Sequence, residues 1–165
     1  MLKRTLLRLI TGGYLAYRKR ISSDDLKKQT ILTLQDFLLK VESLSPAQLE
    51  AHPSSGKWSA QEIVFHAVNG AKGLLRICEG LHNNQDVPDM DRSAMGRTRQ
   101  VPQEDLVLLC RRVIDRTEQF QFVSASTKIC AHPVVGKNDF KGWLVINLVH
   151  LQRHYRQLLR TTEAA

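Results

Sequence analysis

A chain of 165 residues can enclose one well-packed core but is short for two full domains, and 42% hydrophobic with 24% charged residues excludes wholesale disorder and a membrane bundle. No apolar run approaches the roughly 20 residues that a spanning helix needs. The net charge of +8 is unevenly spread: residues 1–28 hold eight Lys or Arg against two Asp, leaving sixteen basic against fourteen acidic side chains, so the body of the chain is not expected to bind nucleic acid.

Residues 1–20 are basic, contain no acid, and have leucines interrupted by Arg8 and by Gly12-Gly13. Arg8 breaks the apolar stretch and no small-residue cleavage site follows, which argues against a secretory signal. An amphipathic helix on a membrane surface, an organelle transit peptide, and a plain lead-in helix with a solvated basic face all fit this composition. The division expected is a basic N-terminal extension, residues 1–22, and one helical domain, residues 23–165.

Ser22-Ser23-Asp24-Asp25 marks a helix start, with side-chain oxygens to cap free amides and acids at the positive end of the dipole. Leu26, Ile31, Leu34, Phe37, Leu38, Val41 and Leu44 then recur at helical spacing. Ser45-Pro46 opens a short turn of helix through Glu50, and His52-Pro53-Ser54-Ser55-Gly56 reads as a loop. Ser59 and Glu62 form an S-x-x-E capping box ahead of a second long helix, whose apolar face is Ile63, Val64, Ala67, Leu74, Leu75, Cys78 and Leu81, with His66 on or beside it.

Residues 82–99 are polar and read as a long surface connection, with His82, like His52, a loop residue. Pro102 begins a third long helix with the stripe Leu106, Leu109, Cys110, Val113, Ile114 and Thr117. Residues 127–142 form a Gly/Pro-punctuated link, in which His132 orders the turn before Gly136. Asn138 or Asp139 can cap a final helix with Trp143, Ile146, Asn147, His150, His154 and Leu158 along its inner stripe. Four long helices emerge, with no alternating strand pattern.

His150 and His154 are four residues apart, about one helical turn, which stacks both imidazoles on one face where they can converge on a single divalent cation. His66, on the second helix, is the candidate third ligand. Glu62 lies one turn before His66 and can orient that imidazole or act as a base, although the capping box already occupies its carboxylate. Asn147, three residues before His150, can hydrogen-bond a ligand or satisfy a backbone group. Trp58, Trp143 and Tyr155 read as core and cap packing. Cys78, Cys110 and Cys130 are odd in number and widely spaced, which points to reduced, packed thiols and a cytoplasmic setting.

Two stretches carry a resemblance. Gly56-Lys57-Trp58-Ser59 running into Glu62 and His66, and His132-Pro133-Val134-Val135-Gly136 followed by Trp143 and His150-Leu151-Gln152-Arg153-His154-Tyr155-Arg156-Gln157-Leu158, are similar to motifs of the DinB-like (DinB/YfiT) superfamily of four-helix-bundle metalloproteins. The resemblance covers residues 25–161. It implies an all-α, up-down-down-up four-helix bundle, here with an extra basic N-terminal helix. It also implies a divalent metal, nickel, zinc or iron, held by three histidines, which map to His66, His150 and His154. Several members are thiol-dependent transferases or isomerases, which implies a low-molecular-weight thiol cosubstrate. Relatives often carry an acid shortly after the first histidine, where this chain has Asn69 and Lys72.

Two readings of function follow. One is a metal-dependent thiol S-transferase or hydrolase acting on a small molecule. The other is a non-catalytic, stress-related interaction bundle, associated with a membrane surface through residues 1–20. A homodimer is compatible with either.

Overall fold

The computed structural model describes residues 17–91, 98–121 and 126–163. The expectation of an extra N-terminal helix falls mainly on residues outside these. Helix α1, Ser23–Ser43, starts where the sequence places it: the Ser22 side chain accepts from Asp25 N, and Asp24 and Asp25 occupy the first turn. A single turn, α2, Pro46–Glu50, is closed by a Ser45–Gln48 capping box. The second long helix, α3, Ala60–His82, is followed by α4, Gln103–Gln119, and α5, Phe140–Glu163.

Hydrogen bonds at the helix ends determine the direction of each helix. Gln61, at the start of α3, donates to Val101 O just ahead of α4, and Arg116 pairs with Glu79 near the far ends of the same two helices, so α3 and α4 run parallel. Gln103 Nε2 donates to Val41 O and Leu44 O, while Lys27 Nζ donates to Glu118 O and Phe120 O, so α1 runs antiparallel to α4. The Phe37 and Tyr155 rings meet edge to face at 5.2 Å, which places the later parts of α1 and α5 together. The result is up-down-down-up. Helix α3 packs mainly on α5, α4 on α1, and α1 on α5, so α1 and α3 are diagonal although consecutive among the long helices.

The apolar faces divide into two clusters. One, around Leu34, Phe37, Ile63, Ala67, Leu106, Cys110, Leu151 and Leu158, fills the half of the bundle next to the end of α1. The other, around Leu26, Leu74, Leu75, Cys78, Leu81, Trp143 and Leu148, fills the opposite half. Thr30 is also buried on the inner side of α1, its hydroxyl donating to Leu26 O one turn back, which explains why a polar residue interrupts the apolar count there.

The link before α5 contains a small antiparallel hairpin, β1, Cys130–His132, and β2, Gly136–Asn138, paired Cys130 with Asn138 and His132 with Gly136. Strands of three residues are too short to show an alternating pattern, so the reading of no strands along the chain is corrected for this Gly/Pro-punctuated link. The connection after α3 adds to this hairpin: Met90 N donates to Ala131 O and Ala131 N to Asp89 Oδ1. Of the two candidate caps for α5, Asp139 serves, its Oδ1 accepting from Gly142 N at 2.7 Å. His82 is also corrected, from loop residue to the last residue of α3, 4% exposed and edge-on to Phe120 and Phe140. Its polarity masked a burial that only the packing of two distant aromatic rings produces. Among the described residues no helix is long and apolar enough to cross a membrane.

Candidate metal centre

The capping box fixes where α3 begins. Ser59 Oγ accepts from Glu62 N at 3.3 Å and Glu62 Oε2 accepts from Ser59 N at 3.0 Å. Glu62 Oε2 also stands 3.7 Å from His52 Nδ1, an exposed loop histidine. One turn further along, His66 projects toward α5. The Asp139 cap fixes α5 in the same way, and about three and four turns in from it His150 and His154 project toward α3.

The three imidazoles form a triangle. Ring centroids are 5.3 Å apart for His66 and His150, 4.7 Å for His66 and His154, and 4.7 Å for His150 and His154. One nitrogen of each lies within 4.8 Å of the corresponding nitrogens of the other two. Trp58 stands beside them, 4.8 Å from the His66 ring and 6.4 Å from that of His154. It therefore borders the triangle, a placement that packing alone did not suggest. Trp143 is fully buried and donates from Nε1 to Cys130 O, as expected of a core residue.

The electrostatics hold two of the rings neutral. Burial, then the neighbouring His154 and His66, push the His150 pKa down to about 3. Burial also lowers that of His154, against the opposing effect of its hydrogen bond to Gln157. A neutral imidazole keeps a lone pair for a cation, so at neutral pH these two side chains are in the form that a metal requires. His150 Nε2 lies 3.3 Å from Ala67 O, an oxygen that can only accept. His154 Nδ1 lies 2.9 Å from Gln157 Oε1.

The backbone of α3 makes room for this arrangement at Gly70. A Cβ built there would lie 2.7 Å from His150 Nε2. A trio of imidazole donors converging from two helices, with a glycine opposite one ring, fits a borderline divalent ion such as nickel, zinc or iron.

Asn147 is 1% exposed one turn before His150, and its Oδ1 has no partner among the described residues. His132 lies in the hairpin, its Nδ1 accepting from Val134 N at 3.1 Å. Asn69 and Lys72 line a groove of about 580 Å³ between α3 and α4, together with Phe65, Arg99 and Arg112. The three cysteines are free and buried; burial raises Cys78 well above its ordinary pKa and pushes Cys110 up to about 12, so neither is a thiolate at neutral pH. Gln157 and Gly70 are the contributors that sequence reasoning missed. A glutamine three residues after His154 was a readable signal, but the space that Gly70 leaves was not.

The sequence profile of the DinB superfamily matches residues 29–158, most of the chain. The chain belongs to the DinB superfamily. Among solved structures, the fold is similar to YfiT from Bacillus subtilis, described as "a probable metal-dependent hydrolase with an unusual four-helix bundle topology", at a TM-score of 0.68 and 14% identity over 87% of this chain and 89% of that one. It is also similar to a protein from Exiguobacterium sibiricum 255-15 described in terms of the DinB family, at a TM-score of 0.62 and 20% identity over 87% and 93% of the two chains. At these identities the likeness establishes the bundle, whose crossed connectivity this DinB chain shares. No curated protein matches the chain.

Proposed function

We propose that this protein holds a divalent metal ion, nickel, zinc or iron, on His66, His150 and His154, and acts as a metal-dependent hydrolase or thiol S-transferase on a small molecule. The observation that carries the proposal is the convergence of three imidazole nitrogens to within 4.8 Å of one another. Held by these three imidazoles with a position left open, such an ion would lower the pKa of a coordinated water to about 7 or favour the thiolate of a bound thiol.

The chain's own residues supply the rest. His150 and His154 remain neutral and available because of burial. Trp58 stands against one side of the triangle, beside His66 and His154. Asn147 offers, one turn deeper, an acceptor that has no partner among the described residues. Glu62 is committed to the capping box, so its contribution is to the start of α3 rather than to proton transfer. The description of YfiT supports the hydrolase arm, and the resemblance of the motifs supports a thiol cosubstrate.

Metal analysis of purified protein beside His66→Ala and His150→Ala variants tests the site. Stoichiometric metal in the wild type and little in either variant is the expected result; equal metal in all three removes the site. A thermal-shift series with nickel, zinc and glutathione-like thiols then separates the reactions. A protein that binds metal but responds to no thiol and hydrolyses no ester or amide would belong with the interaction bundles instead.

A further inference from the structure

Among the described residues, the His154 ring has one side-chain hydrogen-bond partner. Its Nδ1 lies 2.9 Å from Oε1 of Gln157, three residues on along α5 and therefore on the same helix face. A carbonyl oxygen has no proton to give, so the contact exists only when Nδ1 carries hydrogen and donates. A neutral histidine side chain in water favours the other tautomer, with hydrogen on Nε2. Gln157 reverses that preference and leaves Nε2 as a bare nitrogen.

The identity of the acceptor also matters. A carboxylate at position 157 would accept the same hydrogen but would favour the imidazolium through its charge. The amide accepts without adding charge, among neighbours that already include Arg153. His150 has a backbone acceptor, Ala67 O, which no substitution removes. Gln157 is thus the side chain through which the arrangement can be tested.

We infer that Gln157 is a positioning residue for the metal centre, holding His154 in the Nδ1–H tautomer so that Nε2 is the atom offered to the ion. This rests on the metal-binding reading above. Outer hydrogen bonds of this kind change metal affinity by about 10–100-fold when removed.

The test uses the full chain with Gln157→Met, which keeps length without the amide, and Gln157→Glu, which keeps an acceptor. Nitrogen-15 NMR of the metal-free proteins reports the His154 tautomer, competition titration with nickel or zinc reports affinity, and thermal melting reports folding. The expected results are Nδ1–H in the wild type and in Gln157→Glu, and loss of that preference in Gln157→Met. Measured at alkaline pH, where the ring is neutral beside either acceptor, metal affinity should fall about 10–100-fold in Gln157→Met, be largely restored in Gln157→Glu, and change without a matching shift in melting temperature. A wild-type spectrum showing hydrogen on Nε2, or a Gln157→Met variant with wild-type affinity, overturns the assignment. A wild type that binds neither ion overturns the metal reading instead, and the tautomer spectra still decide the role of Gln157.

Discussion

Gly70 on α3 and His150 on α5 occupy space that neither could share with a larger neighbour: a Cβ at position 70 would sit 2.7 Å from His150 Nε2. A glycine in the middle of a 23-residue helix costs about 1 kcal/mol relative to alanine, so close approach of the histidine is what it provides in return.

Gly70→Ala should therefore separate stability from metal binding. The metal-free variant is expected to melt at or slightly above the wild-type temperature, because helix propensity improves and the imidazole can swing aside. Nickel or zinc affinity, measured by titration calorimetry, should fall by about tenfold or more as the ring leaves its position. Unchanged affinity would mean that the His150 ring can move without consequence.

The stability of the metal-free protein should depend on pH between about 6.5 and about 3. His150 and His154 have lowered pKa values when folded and the ordinary value when unfolded. As pH falls through that window the unfolded chain takes up protons that the folded one refuses. Their contribution is thus fully present above about 6.5 and is lost on acidification, with a slope of up to about 1.4 kcal/mol per pH unit for the buried His150. Urea unfolding at pH 7.5, 6.0 and 5.0, compared with His150→Gln, checks this: the variant should show the shallower decline.

Glu62→Gln keeps a side-chain acceptor for Ser59 N and so should preserve the capping box. Melting temperature and metal affinity are both expected to stay close to wild type. Removing the other half of the box, Ser59→Ala, should cost about 1 kcal/mol in denaturant unfolding. A large loss of metal from Glu62→Gln would assign the carboxylate to the metal centre rather than to the cap.

Asn147→Leu replaces a buried oxygen that has no partner among the described residues with an apolar group of similar size. An unsatisfied buried acceptor costs about 1–3 kcal/mol, so the variant should unfold at a higher urea concentration than wild type. Lower stability would show that Oδ1 has a partner in solution, such as an internal water.

Local chemistry accounts for what could be read from the sequence. The caps at Ser22, Ser45 and Ser59 act within four residues of themselves, so the starts of α1, α2 and α3 were legible. The stripes Ile63 to Leu81 and Leu106 to Thr117 were legible because a helix converts spacing directly into a face. His150 and His154 share one turn of one helix for the same reason.

Tertiary structure decided what depends on separate segments meeting. His66 joins the pair only because α3 and α5 pack together, and His150 takes its place in the triangle in space that a Cβ at Gly70 would crowd. His82 is buried by Phe120 and Phe140, rings far from it in sequence, so a polar neighbourhood along the chain disguised an apolar one in space. The sequence by itself determined which residues can bind a cation, through their chemistry and helical spacing. Which nitrogen each ring presents, and whether it stays uncharged, depends on burial and on acceptors such as Gln157 Oε1, quantities that exist only once the helices are assembled.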